Sequence, residues 1–323
     1  MNIGIKKFIK IVLLFCPSFI KEYAHSIGAK EELNEAVKRM RRTKVSKEDV
    51  ISVLNSFDLN SDVMLHCSIM NIGKIAGGTK FLCNTILEKV NISKHTLLVS
   101  ALPYRGPFKD YLDKNPVFDV NTAPIAMGSV NEYFGIMDCA FRSLHPTHSV
   151  VAIGPNAKEY TAKHHLDETP FGVNSPYYKL IINHGKILLF GTSLNNMTIA
   201  HVIEDMLGKD FPVRVYCHKS YNIKVIDSEG EKHIVHTTCH NKFQGILRDG
   251  NRLRKGLINN KIMEIHDFGE AEVSVVKAWD FAVFYLNMLL NGKSIYGKHS
   301  VSNKLRMSVE NALKILYDTK TNN

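Results

Sequence analysis

The feature that most constrains this chain is a rhythm. Short apolar runs closed by Gly, Pro or a polar cluster alternate with stretches of helical period. SDVMLHCSI, HTLLVSALP, SVVAIG and KILLFGTS read as strands, with the first ending near His66 and the second stopped by Pro103. GGTKFLCNTILEKV, NAKEYTAKHHL, SPYYKLIIN and NMTIAHVIEDML read as helices between and after them, the third with Pro at its first position. Apolar strands alternating with helices predict an α/β fold with a largely parallel, helix-covered sheet. Ahead of this series, Ser46 is an expected N-cap for SKEDVISVLNSF, with Asp49 completing a capping-box pattern.

The texture changes after Pro212. VRVYCHKSYNIKVIDSEGEKHIVHTTC alternates like a hairpin turning at Ser228-Glu229-Gly230, and a long helix is expected near SVVKAWDFAVFYLNMLL. This predicts a smaller antiparallel and helical C-terminal portion.

Charge narrows the partners. The 323 residues carry 41 Lys+Arg against 31 Asp+Glu, a formal +10, with Lys6, Lys7, Lys10, Lys38, Arg39, Arg41, Arg42 and Lys44 crowded near the start. Such a balance suits anionic partners; no nucleic-acid motif is present, and no nucleic-acid partner is expected. Residues 1–23 imitate a signal peptide, but Lys10 interrupts the apolar stretch and no small-residue cleavage site follows. An amphipathic helix is the expectation, with peripheral attachment to the inner membrane face as the alternative. The six cysteines form no CxxC pair, which fits a reduced, cytoplasmic protein. The sequence leaves the oligomeric state open.

Four places concentrate polar groups at expected strand ends, where open α/β sheets build their sites. The first holds His66, Cys67 and Ser68, followed by Gly77-Gly78 at a helix start. The second, RSLHPTHSVVAIG, holds His145 and His148; no carboxylate or cysteine lies close in sequence, so structural bonding or a place in a site wall is expected over metal binding. The third holds the adjacent His164 and His165, of which at most one can face a given site from a helix. In the fourth, Thr198, His201 and Glu204 fall at i, i+3 and i+6 on one helix.

Taken in order, HCSIMNIG…GG, RSLHPTHSVVAIG, HHLDETPFGVNSPYYKL and LLFGTSLNNMTIAHVIE resemble the aminoglycoside 3-N-acetyltransferase family. The resemblance implies an α/β/α sandwich over residues 48–296, with 1–47 a basic helical extension and 297–323 a helical tail. It implies acetyl-CoA as co-substrate, no metal, and direct attack on the thioester by the primary amine of an amino sugar. By this resemblance His164 is the general base, with His165 its rival and Glu204 or Glu132 the assisting carboxylate. His145, His148, His165 and His201 then contact substrate, while His66, Cys67, Ser68 and Thr198 receive the cofactor. Val130-Asn131 stands where the family has Leu-Pro, which alters the loop beside Glu132.

The acceptor is a separate question. Aminoglycosides are polycations and suit an acidic pocket, whereas Lys219, Lys224, Lys232, Lys242, Arg248, Arg252, Arg254 and Lys255 dilute the acidic groups of the later half. The charge balance therefore favours a nucleotide- or lipid-linked amino sugar of surface polysaccharide synthesis. Aminoglycoside modification in antibiotic resistance and a non-enzymatic CoA-binding role are the alternatives.

Overall fold

The computed structural model describes residues 42–321. Residues 1–41, with the expected amphipathic helix, lie outside the described residues. Ser46 caps α1 (Lys47–Asn55): its hydroxyl accepts from Asp49 N at 3.0 Å and the Asp49 carboxylate accepts from Ser46 N at 2.9 Å. The capping box is present as the sequence predicts.

The chain then lays down β1 (Val63–Cys67), α2 (Gly78–Val90), β2 (Leu97–Ser100), β3 (Val117–Asp119) and α3 (Ser129–Gly135). Next come β4 (Phe141–Arg142), β5 (Val150–Ile153), α4 (Ala157–Thr161), α5 (Pro176–Ile182), β6 (Lys186–Phe190) and α6 (Ala200–Leu207). The C-terminal part contributes β7 (Tyr216–Ile226), β8 (Lys232–His240), α7 (Asn251–Asn259), β9 (Met263–Phe268), β10 (Ala271–Lys277), α8 (Ala278–Leu290) and α9 (Asn303–Thr321).

A seven-stranded sheet in the order β9-β10-β6-β1-β2-β5-β4 divides the protein. Its central strands are apolar on both faces. Met64, Leu98, Val150, Ile187 and Leu189 pack with residues of α5, α6, α8 and α9. Val63, Leu65, Leu97, Val99, Leu188 and Phe190 face the opposite way, into the cluster formed with α1, α2 and α3. This gives the expected α/β/α layering. The sheet itself is mixed, which corrects the expectation of a largely parallel one. Parallel pairing is confined to β6–β1 and β1–β2, while the flanking strands pair antiparallel.

Two further boundaries differ from expectation. Residues SVVK are not the start of the long helix: β-branched Val273, Val275 and Val276 extend β10 along β6, and the helix opens at Ala278. The helix expected through His165 stops at Thr161, and His164–Leu166 form a separate 3-10 turn. The hairpin is as expected. β7 and β8 pair antiparallel around the 228–230 turn, and β3 adds in parallel to β7, making a three-stranded sheet with its own cluster around Phe118, Ile223, Val225 and Val235. The final helix α9 sends Leu305, Val309, Ala312 and Leu316 into the main core beside α8.

Asp62 ties the entry of β1 to the start of β2 and to α4. Its buried carboxylate accepts from Thr96 N at 2.7 Å and from the Tyr160 hydroxyl at 2.8 Å. Replacing it with Ala orphans both donors, so Asp62→Ala should lower unfolding stability by about 2–4 kcal/mol in chemical denaturation.

Candidate active site

A cleft of about 370 Å³ opens where the parallel strands end, lined by His66, Cys67, Ser68, Asn131, His148, Thr198, His201 and Arg248, among others. All four residues expected to receive the cofactor are therefore on its wall. β1 delivers His66 and Cys67, and the Cys67–Phe190 register aligns the end of β1 with that of β6. Ser68 N donates to Phe190 O at 2.9 Å. Gly191 follows with φ +70, and a Cβ there would stand 2.6 Å from Ser68 O, so this junction requires glycine.

The most organised chemistry in the cleft lies on α6. His201 Nδ1 is 2.6 Å from Glu204 Oε2, and the other carboxylate oxygen accepts from the Tyr296 hydroxyl at 2.8 Å. The spacing of three places both side chains on one helix face. The Glu204 side chain is fully buried, and that of His201 keeps 16% exposure toward the cleft. Burial pushes the Glu204 carboxyl up to about 8, against a smaller opposing effect of the Tyr296 bond, and drives the His201 imidazole well down. The pair thus carries no net charge at neutral pH.

Around it is a layer of rings. His201 stacks on Phe171 at 5.0 Å and meets His240 at 4.4 Å, while Tyr216 stacks on His240 at 4.6 Å. His148 touches Phe171 at 4.9 Å and holds Thr147 Oγ1 through Nδ1 at 2.9 Å. Arg248 reaches in from the far wall, donating to Asn195 O and, at 2.8 Å, to Met197 O.

The remaining expected site residues lie elsewhere. His164 is completely buried behind the cleft, with Nε2 donating to Pro170 O at 2.9 Å and Nδ1 facing Ser143 Oγ at 2.8 Å. Nε2 must carry the proton, because a carbonyl only accepts, and the Ser143 hydroxyl then donates to Nδ1. Neither nitrogen is free to take a substrate proton, and burial holds this imidazole down at about 3. His145 is equally buried, stacked on His164 at 4.7 Å. His165 and the exposed Glu132 line a different cleft of about 860 Å³, together with Asp227, Glu229 and His233. The structure therefore does not bring Glu132 or Glu204 to His164.

Sequence reasoning missed His240, Arg248 as a cleft residue, and Tyr296. His240 closes an alternating strand and carries no local motif; Tyr296 reaches Glu204 across 92 residues of sequence. Among the described residues Cys67, Cys83, Cys139, Cys217 and Cys239 are free thiols. No helix among them is long and apolar enough to cross a membrane.

The layered α/β fold places a buried His–Glu pair at the wall of a strand-end cleft. The family is specific: the aminoglycoside 3-N-acetyltransferase model matches residues 64–289, and the chain belongs to that family. Aminoglycoside N(3)-acetyltransferase IX of Micromonospora chalcea is 32% identical over 165 residues, which is 46% of this chain and 58% of that protein. Aminoglycoside N(3)-acetyltransferase III of Pseudomonas aeruginosa is 30% identical over 153 residues, 44% of this chain and 56% of the relative. The matched segment thus spans little more than half of each curated relative.

Solved structures share the fold. Aminoglycoside acetyltransferase AAC(3)-Xa superposes with a TM-score of 0.64 at 23% identity, over 78% of this chain and 95% of that one. The AAC-IIIb binary structure with CoASH gives 0.64 at 19% identity, over 80% and 100%. The α/β/α expectation agrees with both.

The raised Glu204 carboxyl has a consequence for stability. Folded Glu204 binds its proton more tightly than an unfolded glutamate does, from an ordinary value of 4.5 up to about 8. Its contribution is complete below the lower value and is lost as pH rises through the upper one. Thermal melts of the native protein and Glu204→Gln should therefore converge at low pH, with the native protein losing ground between about pH 5 and 8. Parallel melting curves across that range would show that burial does not hold the proton.

Proposed function

We propose that the protein transfers the acetyl group of acetyl-CoA to a primary amine of an aminoglycoside-type amino sugar, with His201 as general base. The observation that carries this is the 2.6 Å contact between His201 Nδ1 and Glu204 Oε2 at the cleft wall. With Nδ1 committed to the carboxylate, proton transfer at this ring runs through Nε2. A base held by an orienting carboxylate is the arrangement that nucleophilic attack on a thioester needs. This reading moves the base from His164 to His201 and keeps Glu204 as its partner.

As the amine nitrogen bonds to the acetyl carbon it acquires positive charge, and His201 Nε2 takes its proton. The imidazolium formed is neutralised by Glu204 through Nδ1. The carbon–sulfur bond then breaks, and the departing thiolate recovers the proton, giving the amide and free CoA. Ser68 and Thr198 carry hydroxyls on the cleft wall, and either suits the oxygen that becomes negative during the attack. His66 Nε2 is buried without a hydrogen-bond partner among the described residues, a group suited to the amide carbonyls of a pantetheine arm. The Arg248 guanidinium supplies positive charge on the same wall.

The acceptor class follows the relatives. The net charge argued for an anionic, nucleotide- or lipid-linked sugar, but the curated relatives are named aminoglycoside N(3)-acetyltransferases, and they favour the aminoglycoside alternative. Net charge sums the entire surface and does not report the potential inside one cleft. The larger cleft shows this locally. Glu132, Asp227 and Glu229 line it against Lys158 and Arg142, and the Arg142 guanidinium is spent on the carbonyls of Ala101, Ala123 and Pro124.

Thiol release from acetyl-CoA with kanamycin-like amines and with UDP-amino sugars tests the reading. Turnover is expected on the former; turnover only on the latter, or on neither, would refute it. His201→Ala should lower kcat by about 10²–10⁴ while leaving CoA binding nearly intact. The native kcat/KM should rise with pH toward about 8 as Glu204 ionises and Nδ1 holds the ring proton. Glu204→Gln should reduce kcat and flatten that limb.

A further inference from the structure

We infer that His201, Glu204 and His240 form a binding site for a zinc-class divalent cation, and that an ion held there blocks acetyl transfer by occupying the base. The inhibitory half rests on His201 being that base; the binding half does not.

One ligand atom from each of the three residues lies within 4.8 Å of the others. His201 and Glu204 share a face of α6, and His240 arrives from the end of β8, where an irregular register between Thr238 and His240 shifts the strand. The His240 ring stands 4.4 Å from His201, and its Nε2 is buried with no hydrogen-bond partner among the described residues. A buried, unpartnered imidazole nitrogen is costly unless something completes it. Glu204 shows the complementary deficit. It is a fully buried carboxylate whose hydrogen bonds go to an imidazole and a phenol, with no lysine or arginine among the described residues bonded to it.

The donor set selects the ion. Two imidazoles and one carboxylate, with a fourth position open to the cleft, match the nitrogen and oxygen ligation of tetrahedral zinc sites. Magnesium and calcium prefer all-oxygen shells, so neither is expected to bind. Zinc–ligand bonds of about 2.0–2.1 Å put neighbouring ligand atoms roughly 3.3 Å apart; on binding, His201 Nδ1 and Glu204 Oε2 part from their 2.6 Å contact and the ion takes its place between them and His240. The outer supports are in place. The Tyr296 hydroxyl fixes the far carboxylate oxygen at 2.8 Å, and Tyr216 stacks on His240 while donating to Asp205 at 2.6 Å. Arg248 acts electrostatically against a cation here; the Glu204 and Asp205 carboxylates act for it. On binding, the proton shared by His201 and Glu204 passes to solvent, and both groups become ligands. The base then has no lone pair to offer the amine.

The test uses the metal-free full chain. Calorimetric titration with zinc chloride should show one ion per chain, and magnesium chloride should give no response. Zinc should inhibit acetyl transfer competitively with the amine, and EDTA should restore full turnover. His240→Asn and His240→Gln should keep turnover in EDTA within about twofold, with unchanged melting temperature, and weaken zinc binding and zinc inhibition together by roughly a hundredfold. Failure of the native chain to bind zinc, or equal affinity in both variants, would overturn the site. Loss of activity in EDTA with recovery on adding zinc would overturn the inhibitory role. Zinc binding by a chain that turns over no amine would leave this site standing and remove the proposed function instead.

Discussion

Glu204 is a carboxylate with no exposed surface, set in a helix whose Val202, Ile203 and Leu207 are core residues. A group of that kind is tolerated only when its oxygens are bonded, and here one is held by Tyr296 and the other by His201. These two bonds fix the rotation of α6 about its axis. They draw in the segment after α8, and they leave the outer edge of the His201 ring toward the cleft. The same burial that makes Glu204 expensive raises its proton affinity and makes it a responsive partner for an imidazole. Structure and chemistry therefore meet in the two hydrogen bonds of Glu204.

The sheet supplies the place for that bond. Only the three central strands run parallel, and their shared end is where His66, Cys67 and Ser68 meet Gly191 and the loop into α6. Antiparallel strands on both flanks widen the sheet. β7 and β8 then bring His240 and Tyr216 against α6 from a second, smaller sheet. The cleft is consequently built from segments far apart in sequence, and its histidines, His66, His148 and His201, come from three separate stretches of chain.

This division explains what could be read in advance. Strands buried on both faces leave unbroken apolar runs, so β1, β2, β5 and β6 were legible in SDVMLHCSI, HTLLVSALP, SVVAIG and KILLFGTS. Strand direction was not legible, because an apolar run looks the same paired either way; the antiparallel flanks came as a correction. The His201–Glu204 part of the expected stripe was legible because helical spacing sets its geometry locally, whereas Thr198 lies ahead of α6, which opens at Ala200. His164 was misleading for the opposite reason. Its two partners, Ser143 Oγ and Pro170 O, come from a loop and a strand edge that no periodicity connects to it. His145 and His148 share a motif but divide in the fold, one sealed behind the cleft and one on its wall. Tyr296 and His240 left no signal at all, since their roles arise from contacts that the chain closes only on folding.

The central claim is that His201, held by Glu204, is the group that takes the proton from the amine. A crystal structure of the protein with CoA and an aminoglycoside bound tests it most directly. The account predicts the acceptor amine nitrogen within about 3.2 Å of His201 Nε2, with Nδ1 still on Glu204. An amine seated against His148, or against a rotated His164 released from Pro170, with His201 remote from it, would contradict the account.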